Sequence, residues 1–535
     1  MEEDRRPNNQ HRQEAHAHLE QMGIKSELNR SAFSNLGMLG MAFSVVNTWP
    51  AIGTTVSASL PSGGSSSATW GLLVAGIFNM CCGLSLCEFL SAYPTAGGQY
   101  HWAAVASWQP TKRGISYITG WINLAAWVCT AAANCLLVSG IVTSFISFMH
   151  PGYDPKPWHR FLLYVAVNLI GLCFNLFGNR YLARLNKYNV YFTLTGFMIS
   201  LVTILACAAP DYQSGAFVYG GFINNSGWPD GWAWQIGLLQ GAFSITGFDA
   251  TMHMMEEMPK PETNGPKLII SAITMAIVTG FCYISAVLFV ISDIPEAVKS
   301  SEPLLTIYYQ STGSRAGSIC LMIFPILGFV LCTIDDMATS SRLSYALARD
   351  GGMPFSRHFT QIHPVLGVPV VGLLWCSFWD IIFGLIFLGS NDAFSAIISA
   401  AVVCVTVTYA IPPTINLFRG RRMLPENRPF KLPSALGYIC NIADLAWTLL
   451  VLVLFVFPTK NPTDPVDMNY TIVALGVVLL VAGSNWLLSA RKTYQPPTLE
   501  LSNGPDKSSL EVDQSLVVEQ ETKGSKEDLR KEKMD

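Results

Sequence analysis

Long apolar stretches separated by short polar segments fill this chain from about residue 33 to residue 490. Each has roughly 20 residues, the length that an α-helix needs to cross a hydrocarbon core about 30 Å thick. Twelve of them occur, and we number them spans 1 to 12 in chain order. Their approximate bounds are 33–59, 69–92, 116–148, 161–178, 187–209, 233–257, 267–291, 316–342, 369–389, 393–418, 434–457 and 469–490. The pattern predicts an all-α polytopic membrane protein with twelve transmembrane helices.

Composition agrees with that fold class. Of the 535 residues, 50% are hydrophobic and only 13% are charged, whereas a soluble chain carries about a quarter charged residues. All 13 cysteines lie in or beside apolar stretches, which favours a packing role over a disulfide framework or a zinc site. The sequence therefore predicts no metal and no cofactor.

The basic residues set the predicted orientation. Of the 33 Lys and Arg residues, fifteen lie in loops on one side of the predicted bundle and five in loops on the other. Because basic residues concentrate on the cytoplasmic side of a membrane, the first side and both tails are predicted to be cytoplasmic. Residues 1–32 form the N-terminal tail. Residues 491–535, rich in Ser, Glu, Lys and Asp, are predicted to be a disordered C-terminal tail.

Two N-glycosylation sequons begin at Asn224 and Asn469. Both lie in loops assigned to the outside, where glycosylation occurs. Asn469 is so close to span 12 that Asn224 is the better candidate. The sequons weakly favour the plasma membrane as the location, with the vacuolar membrane as the alternative.

Acidic residues occupy the predicted spans, whereas no Lys or Arg lies well inside one. The acids are Glu88, Asp249, Asp335, Asp336, Asp380 and Asp444. A carboxylate inside a membrane is costly and is a functional candidate by default. Without a buried basic partner, these acids must be protonated, hydrated or neutralised by a cation that arrives from solution.

Spans 1 and 6 are interrupted near their middle. "NTWPAIGTT" (47–55) places a proline, a glycine and three threonines within nine residues, and "TGFD" (246–249) interrupts span 6. Unwound backbone is tolerated in a membrane only where it is buried in protein or lines a cavity. Because the breaks lie five spans apart, they fall in equivalent spans of opposite direction. This arrangement predicts the central site of a carrier, where free N–H and C=O groups bind a carboxylate and an ammonium.

Two groups of acids are candidates for handling a proton. Asp249, His253 and Glu257 follow at four-residue spacing, so on an α-helix they share one face and can relay a proton. The alternative is that they cap a helix end at the interface beside a basic partner. Asp335 and Asp336 in span 8 either attract a cationic substrate or share a proton, unless an aqueous vestibule hydrates both.

Five stretches of the chain form an ordered set of motifs: "NTWPAIGTT" (47–55), "EFLSAYPTAGGQYHW" (88–102), "YITGWINLAAW" (117–127), "TGFDATMHMMEEM" (246–258) and "SSRLSYALARDGGMP" (340–354). Together they resemble motifs of the amino acid–polyamine–organocation superfamily, and more narrowly of its fungal-type permeases for GABA, choline and related amines. The resemblance covers all but the tails. It implies a leucine-transporter-type core of five plus five helices in an inverted repeat (about 33–209 and 233–418), followed by two extra helices (about 434–490).

The same resemblance implies which residues line the central pocket. They are Asn47, Thr48, Trp49, Ala51, Gly53, Thr54, Asn123, Trp127, Thr246, Gly247, Phe248 and Asp249. Candidates for ion coupling are Asp249, His253, Asp335, Asp336, Thr339 and Ser340. The sequence departs from the family pattern in two places. Residues 190–197 contain no lysine, whereas some relatives have one in span 5 that acts in proton coupling. Asp335 and Asp336 stand where close relatives usually have small uncharged residues.

The expected function is import of a small amino acid or amine, such as GABA or choline, by alternating access with a proton as co-substrate. No compact set of nucleophile, base or metal ligands is visible, so we expect neither an enzyme nor a nucleic-acid-binding protein. Two alternatives stay open. One is a transporter-like nutrient sensor, and the other is a permease for polyamines or basic amino acids.

Overall fold

The chain forms a bundle of long helices in the computed structural model, which describes residues 33–389, 391–458, 461–462 and 471–496. Within these ranges the regular structure is helical, apart from an isolated antiparallel bridge between Ser62 and Asn224. The N-terminal tail, residues 497–535 and the sequon at Asn469 lie outside the described residues.

Every predicted span corresponds to a helix or a pair of helices. In chain order these are Asn35–Val46 with Thr48–Thr54, Gly64–Ala92, Lys112–Met149, Pro157–Phe177, Asn179–Ala208, Asp230–Ile245 with Phe248–Glu257, Pro261–Val290, Arg315–Arg349, Val370–Gly389, Asn391–Phe418, Ser434–Leu454 and Thr471–Asn485. Ten of these spans are long and apolar enough to cross a membrane. The other two are span 6, which is divided, and span 9, whose apolar part is shorter. The all-α polytopic fold is confirmed.

Polar helix ends extend beyond the apolar stretches. Span 5 begins at Asn179, so the predicted loop 179–187 is helical and only Gly178 separates spans 4 and 5. Span 8 continues to Arg349, and helical turns continue from span 12 through Arg491–Thr493, inside the predicted tail. Hydropathy marks the part of a helix that suits hydrocarbon, whereas Lys and Arg readily continue a helix into water.

Burial places span 1 at the centre of the bundle and span 12 at its edge. The apolar window of span 1 is 89% buried, that of span 12 only 11%. Short helices connect the spans, namely Val56–Ser59, Gln99–Ala106, Gly215–Gly220, Ile294–Lys299, Pro303–Thr312 and Ser356–Phe359. Exposed side chains such as Leu480, Leu487 and Leu488 form an apolar surface on span 12 that suits lipid.

The expectation that the acids of the spans have no buried basic partner is wrong for Glu88. Arg421 and Arg428, from the loop after span 10, both donate to its carboxylate. Arg342 is likewise buried inside the helix of span 8, where it lies 3.2 Å from Glu257. These arginines come from a loop and a helix end that fold back against the bundle, which hydropathy along single spans does not detect.

Asn224 lies in the loop before span 6. Its Nδ2, the atom that would carry a glycan, donates to the carbonyl of Trp228 and to Asp230 Oδ1, both at 2.8 Å. Glycosylation at Asn224 stays a prediction.

The loop between spans 7 and 8 contains a buried acid, Glu302. It precedes the helix Pro303–Thr312, it is 7% exposed, and its Oε1 has no hydrogen-bond partner among the described residues. Burial raises the pKa of Glu302 from 4.5 to about 8, although the positive charge of Arg160 opposes that shift. Because the folded chain holds this proton more tightly than the unfolded chain, stability falls as pH rises through that interval.

Replacing Glu302 by glutamine removes this ionisation. We expect Glu302→Gln to raise the melting temperature at about pH 9 and to change it little near pH 5, where the parent carboxyl is largely protonated in the folded chain. Thermal melts of the detergent-purified protein at both values measure the effect. The control is Glu296→Gln, at an exposed acid of the same loop. An equal pH-dependent gain in the control would contradict the assignment.

Candidate functional site

Span 1 is interrupted at a single residue. Its first helix ends at Asn47, whose backbone is left-handed (φ 42°, ψ 38°), and the second helix is Thr48–Thr54. Pro50 does not break the span, because it lies in the first turn of the second helix, where a residue has no intrahelical N–H bond to lose. The unwinding predicted for 47–55 is therefore confined to Asn47, with a smaller irregularity at Thr55.

Span 6 is interrupted at Thr246 and Gly247. Thr246 is extended, Gly247 has φ 99°, and a 3₁₀ helix of 10 residues, Phe248–Glu257, follows. A side chain disfavours a positive φ, so glycine suits this position. A 3₁₀ helix of this length is unusual, and its residues share a face at three-residue rather than four-residue spacing.

A cavity lies between the two breaks. It is narrow, and the space open to a water-sized molecule is about 30 Å³. Its lining residues are Val45, Val46, Asn47, Ala51, Thr130, Ala133, Asn134, Phe243, Thr246, Gly247, Phe329, Ala401 and Val402. None of these described residues is charged. Four of the predicted pocket residues are in this set: Asn47, Ala51, Thr246 and Gly247.

Trp49 faces away from the cavity. It packs edge-on against Phe197 and Tyr283, with ring centroids 6.4 and 5.1 Å away. Residues two apart on a helix point about 200° apart around its axis, so Trp49 turns outward when Ala51 faces the cavity. The geometry gives no support to a cation–π role for Trp49. The remaining predicted pocket residues, apart from Trp127 and Asp249, contact neighbouring helices or form local hydrogen bonds: Thr48, Gly53, Thr54, Asn123 and Phe248.

Asp249 is fully buried behind the cavity wall. Gln99 Nε2 donates to its Oδ2 at 2.6 Å, and the Tyr409 hydroxyl donates to its Oδ1. The Tyr409 oxygen also accepts from the N–H of Gly247 at 3.2 Å, and Gly247 lines the cavity. Tyr409 therefore joins the acid to the wall. The sequence did not single out Gln99 or Tyr409, because one lies in a predicted loop and the other is an ordinary aromatic residue of span 10.

His253 lies beside Asp249 with a defined tautomer. Its Nδ1 is 2.9 Å from the carbonyl oxygen of Ala96, which can only accept, so Nδ1 carries a hydrogen. Its Nε2 is 3.5 Å from Asp249 Oδ2. Neutral His253 thus presents a lone pair to the acid, and protonated His253 presents an N–H. Trp127 packs edge-on against the imidazole, with ring centroids 6.2 Å apart.

The acids at the end of the 3₁₀ helix belong to ion pairs. Glu257 lies 3.2 Å from Arg342, and Glu256 lies 3.4 Å from Arg349. The basic partners expected at this end are thus arginines of span 8. The predicted stripe of three residues assumed α-helical spacing, which a 3₁₀ helix does not have.

Asp336 is connected to the cavity through one side chain. Asn134, which lines the cavity, donates to Asp336 Oδ2 at 2.8 Å. Asp335 instead accepts from Asn186 of span 5 at 2.7 Å. Both acids are fully buried, so neither lies in an open vestibule. The other coupling candidates of span 8 bond to its own backbone: Thr339 and Ser340.

The long apolar helices define a multi-pass membrane protein. A profile of the amino acid permease family matches residues 33–479, and the chain belongs to this family. It is 33% identical to the choline transporter of Saccharomyces cerevisiae, over 87% of this chain and 82% of that protein. It is 31% identical to the amino-acid permease BAT1 homolog of Oryza sativa subsp. japonica, over 91% and 96%. The family identified from the motifs is confirmed.

A solved structure shares the fold. The manganese transporter of Eremococcus coleocola, in a mutant form, superposes with a TM-score of 0.55 at 12% identity, covering 84% of this chain and 92% of that chain. At this identity the likeness concerns the helix arrangement alone.

The break in span 6 can be tested by adding a single methyl group. We expect Gly247→Ala to lower the melting temperature and transport, because the left-handed conformation costs about 1–2 kcal/mol for a residue with Cβ and the new atom would lie 3.1 Å from Val45 Cγ1. The control is Gly231→Ala in the same span, where nothing lies within 4 Å. Thermal melts of both variants give the comparison, and equal stability would contradict the role of Gly247.

Proposed function

We propose that this protein carries a small amino acid or amine across a membrane by alternating access, with the substrate bound between the breaks at Asn47 and Gly247. The observation that carries the proposal is the uncharged cavity at the meeting point of the two interrupted spans. We further propose two inverted five-helix repeats, a plasma-membrane location and cytoplasmic termini, which the motif resemblance, the sequons and the distribution of basic residues respectively favour.

The electrostatics of the cavity favour a substrate with one positive group. The C-terminal ends of the first helices of spans 1 and 6 meet there, and each such end carries about half a negative charge. The second helices begin at the same breaks, and their N-terminal ends carry the opposite partial charge, which suits a carboxylate such as that of GABA. Asp336 and Asp249 lie behind the wall, reached through Asn134 and Tyr409. GABA and choline each offer one cationic nitrogen. Similarity to a choline transporter and to an amino-acid permease supports both chemistries.

Polyamines and basic amino acids fit this site less well. They carry at least one further positive charge, and a second charge taken from water needs its own partner. The residues that line the cavity include no acid to supply one. We therefore place singly charged amines first.

Asp249 and His253 are the proposed proton carriers. The carboxylate accepts hydrogen bonds from Gln99 and Tyr409, both of them neutral donors. The imidazole lies 3.5 Å away with its Nε2 turned toward the acid. A proton arriving from the cavity side can reside on either group. The hydrogen bond from the Gly247 N–H to the Tyr409 hydroxyl connects the acid to a residue that lines the cavity.

Uptake into proteoliposomes tests the proposed function. We expect labelled choline or GABA to accumulate above its outside concentration when the outside is more acidic, and the other amine to compete. Dissipating the pH gradient should abolish accumulation while exchange continues. Binding without accumulation would indicate a sensor and overturn the proposal. A polyamine or a basic amino acid as the preferred competitor would overturn the assignment to singly charged amines.

Substitution of single acids distinguishes an acid that couples the proton to transport from a buried acid with a structural role. We expect Asp249→Asn to lose gradient-driven accumulation by about tenfold or more, equivalent to about 1.4 kcal/mol, while exchange at equal pH persists, because the amide keeps the size of the side chain but cannot ionise. The control is Asp444→Asn, since this buried acid of span 11 is bonded to Cys82 and does not line the cavity. Equal losses in both variants would argue against a coupling role for Asp249.

A further inference from the structure

Tyr494, just after the last turn of span 12, is fully buried against span 3. Its hydroxyl lies 2.6 Å from Ser116 Oγ, and its carbonyl oxygen accepts from Arg113 Nη2 at 2.8 Å. Its ring packs edge-on against Tyr117, with centroids 5.4 Å apart. The apolar part of span 12 is mostly exposed. The buried contacts at its C-terminal end therefore do not follow from packing along the rest of the helix.

The same end holds the loop that follows span 8. Gln495 N–H donates to the carbonyl of Asp350, and the Thr493 hydroxyl donates to the carbonyl of Gly351, both at 2.9 Å. Asn485 Nδ2 donates to the carbonyl of Gly352, also at 2.9 Å. Three consecutive carbonyls of one loop are thus bonded to span 12 and its extension. Gly351 has φ 76°, and a Cβ there would lie 2.5 Å from Thr493 O, so the contact requires glycine.

The loop is bonded in turn to the helix Gln99–Ala106. Asp350 Oδ2 accepts from the Tyr100 hydroxyl and lies close to His101 Nε2, both at 2.8 Å. The residue before Tyr100 is Gln99, which donates to Asp249. A short series of contacts therefore leads from Gln495 through Asp350 to the acid behind the cavity.

We propose that Tyr494 and Gln495 form a clamp that positions Asp350, and through it the start of the helix Gln99–Ala106, against Asp249. Tyr494 is then a positioning residue for transport, although it lies far along the chain from the cavity and touches none of its lining residues. The expected effect of the clamp on transport rests on the proposed carrier function. The contacts that form the clamp are present in the protein without substrate.

Two truncations that differ by three residues test the clamp. A chain ending at Pro496 keeps Tyr494 and Gln495, whereas a chain ending at Thr493 loses both. Hydrogen–deuterium exchange of the substrate-free protein reports on residues 95–106 and 349–353. We expect the longer chain to match the full chain, and the shorter chain to exchange about tenfold faster in both segments, as the loss of a few hydrogen bonds implies. Equal exchange in the two truncations overturns the clamp.

Transport by the same proteins tests its consequence. We expect the shorter truncation to lower the maximal uptake rate about fivefold or more with little change in KM, because the cavity lining is intact. Full-length Tyr494→Phe keeps the ring and the backbone bonds and should restore both readouts.

If the shorter chain does not fold, full-length Arg113→Gln, which removes the donors to Tyr494 O, should speed exchange in the same segments, and unchanged exchange overturns the clamp. Absent uptake in the full chain would refute the carrier while leaving the exchange test valid.

Discussion

Backbone polar groups need partners inside a membrane, and the rest of this structure follows from how two interruptions meet that need. At Asn47 the N–H bonds back to Phe43 O, and at Gly247 the N–H bonds to the Tyr409 hydroxyl. Among the carbonyls at the ends of the first helices, Ala242 O accepts from the Thr246 hydroxyl and Val45 O from Cys332 Sγ. The cavity lies beside these ends. Unwound backbone at this depth is stable only when protein or a polar cavity surrounds it, which explains why the most buried spans gather around these two residues.

The buried acids fall into two kinds, which their partners distinguish. Glu88 lies between Arg421 and Arg428, and these two ion pairs hold a loop against span 2. Asp249 and Asp336 have neutral donors, among them Gln99 and Asn134. A buried carboxylate with an ion-pair partner is already neutralised by that partner, whereas one with only neutral donors still needs a counter-charge. Partner charge, rather than burial alone, separates the structural acid from the candidates for function.

Much of this arrangement could be predicted from the sequence. The remainder depends on which way a side chain points around its helix and on which distant segments fold against the spans. Apolar length predicted the spans, and Gly247 marked a break because few other residues tolerate its φ. The orientation of Trp49 could not be predicted, since it depends on Pro50 lying in a helical turn. The 3₁₀ geometry after Gly247 likewise has no clear sequence signal. Tyr409 and the arginines of distant loops reach the acids only through tertiary folding, which local pattern does not encode.

The segment 95–101 joins these parts into one polar unit. Its Ala96 carbonyl faces His253 and its Ala96 N–H donates to Glu256, while Gln99 donates to Asp249. Tyr100 bonds to Asp350 beyond the end of span 8. A movement that separates this segment from span 6 must therefore break its bonds to Asp249, His253 and Glu256 together. Conversely, a proton gained by Asp249 weakens its hold on Gln99, because a neutral carboxyl is a poorer acceptor than a carboxylate. In the proposed carrier, opening at this end and the proton state of Asp249 are thereby two aspects of one rearrangement.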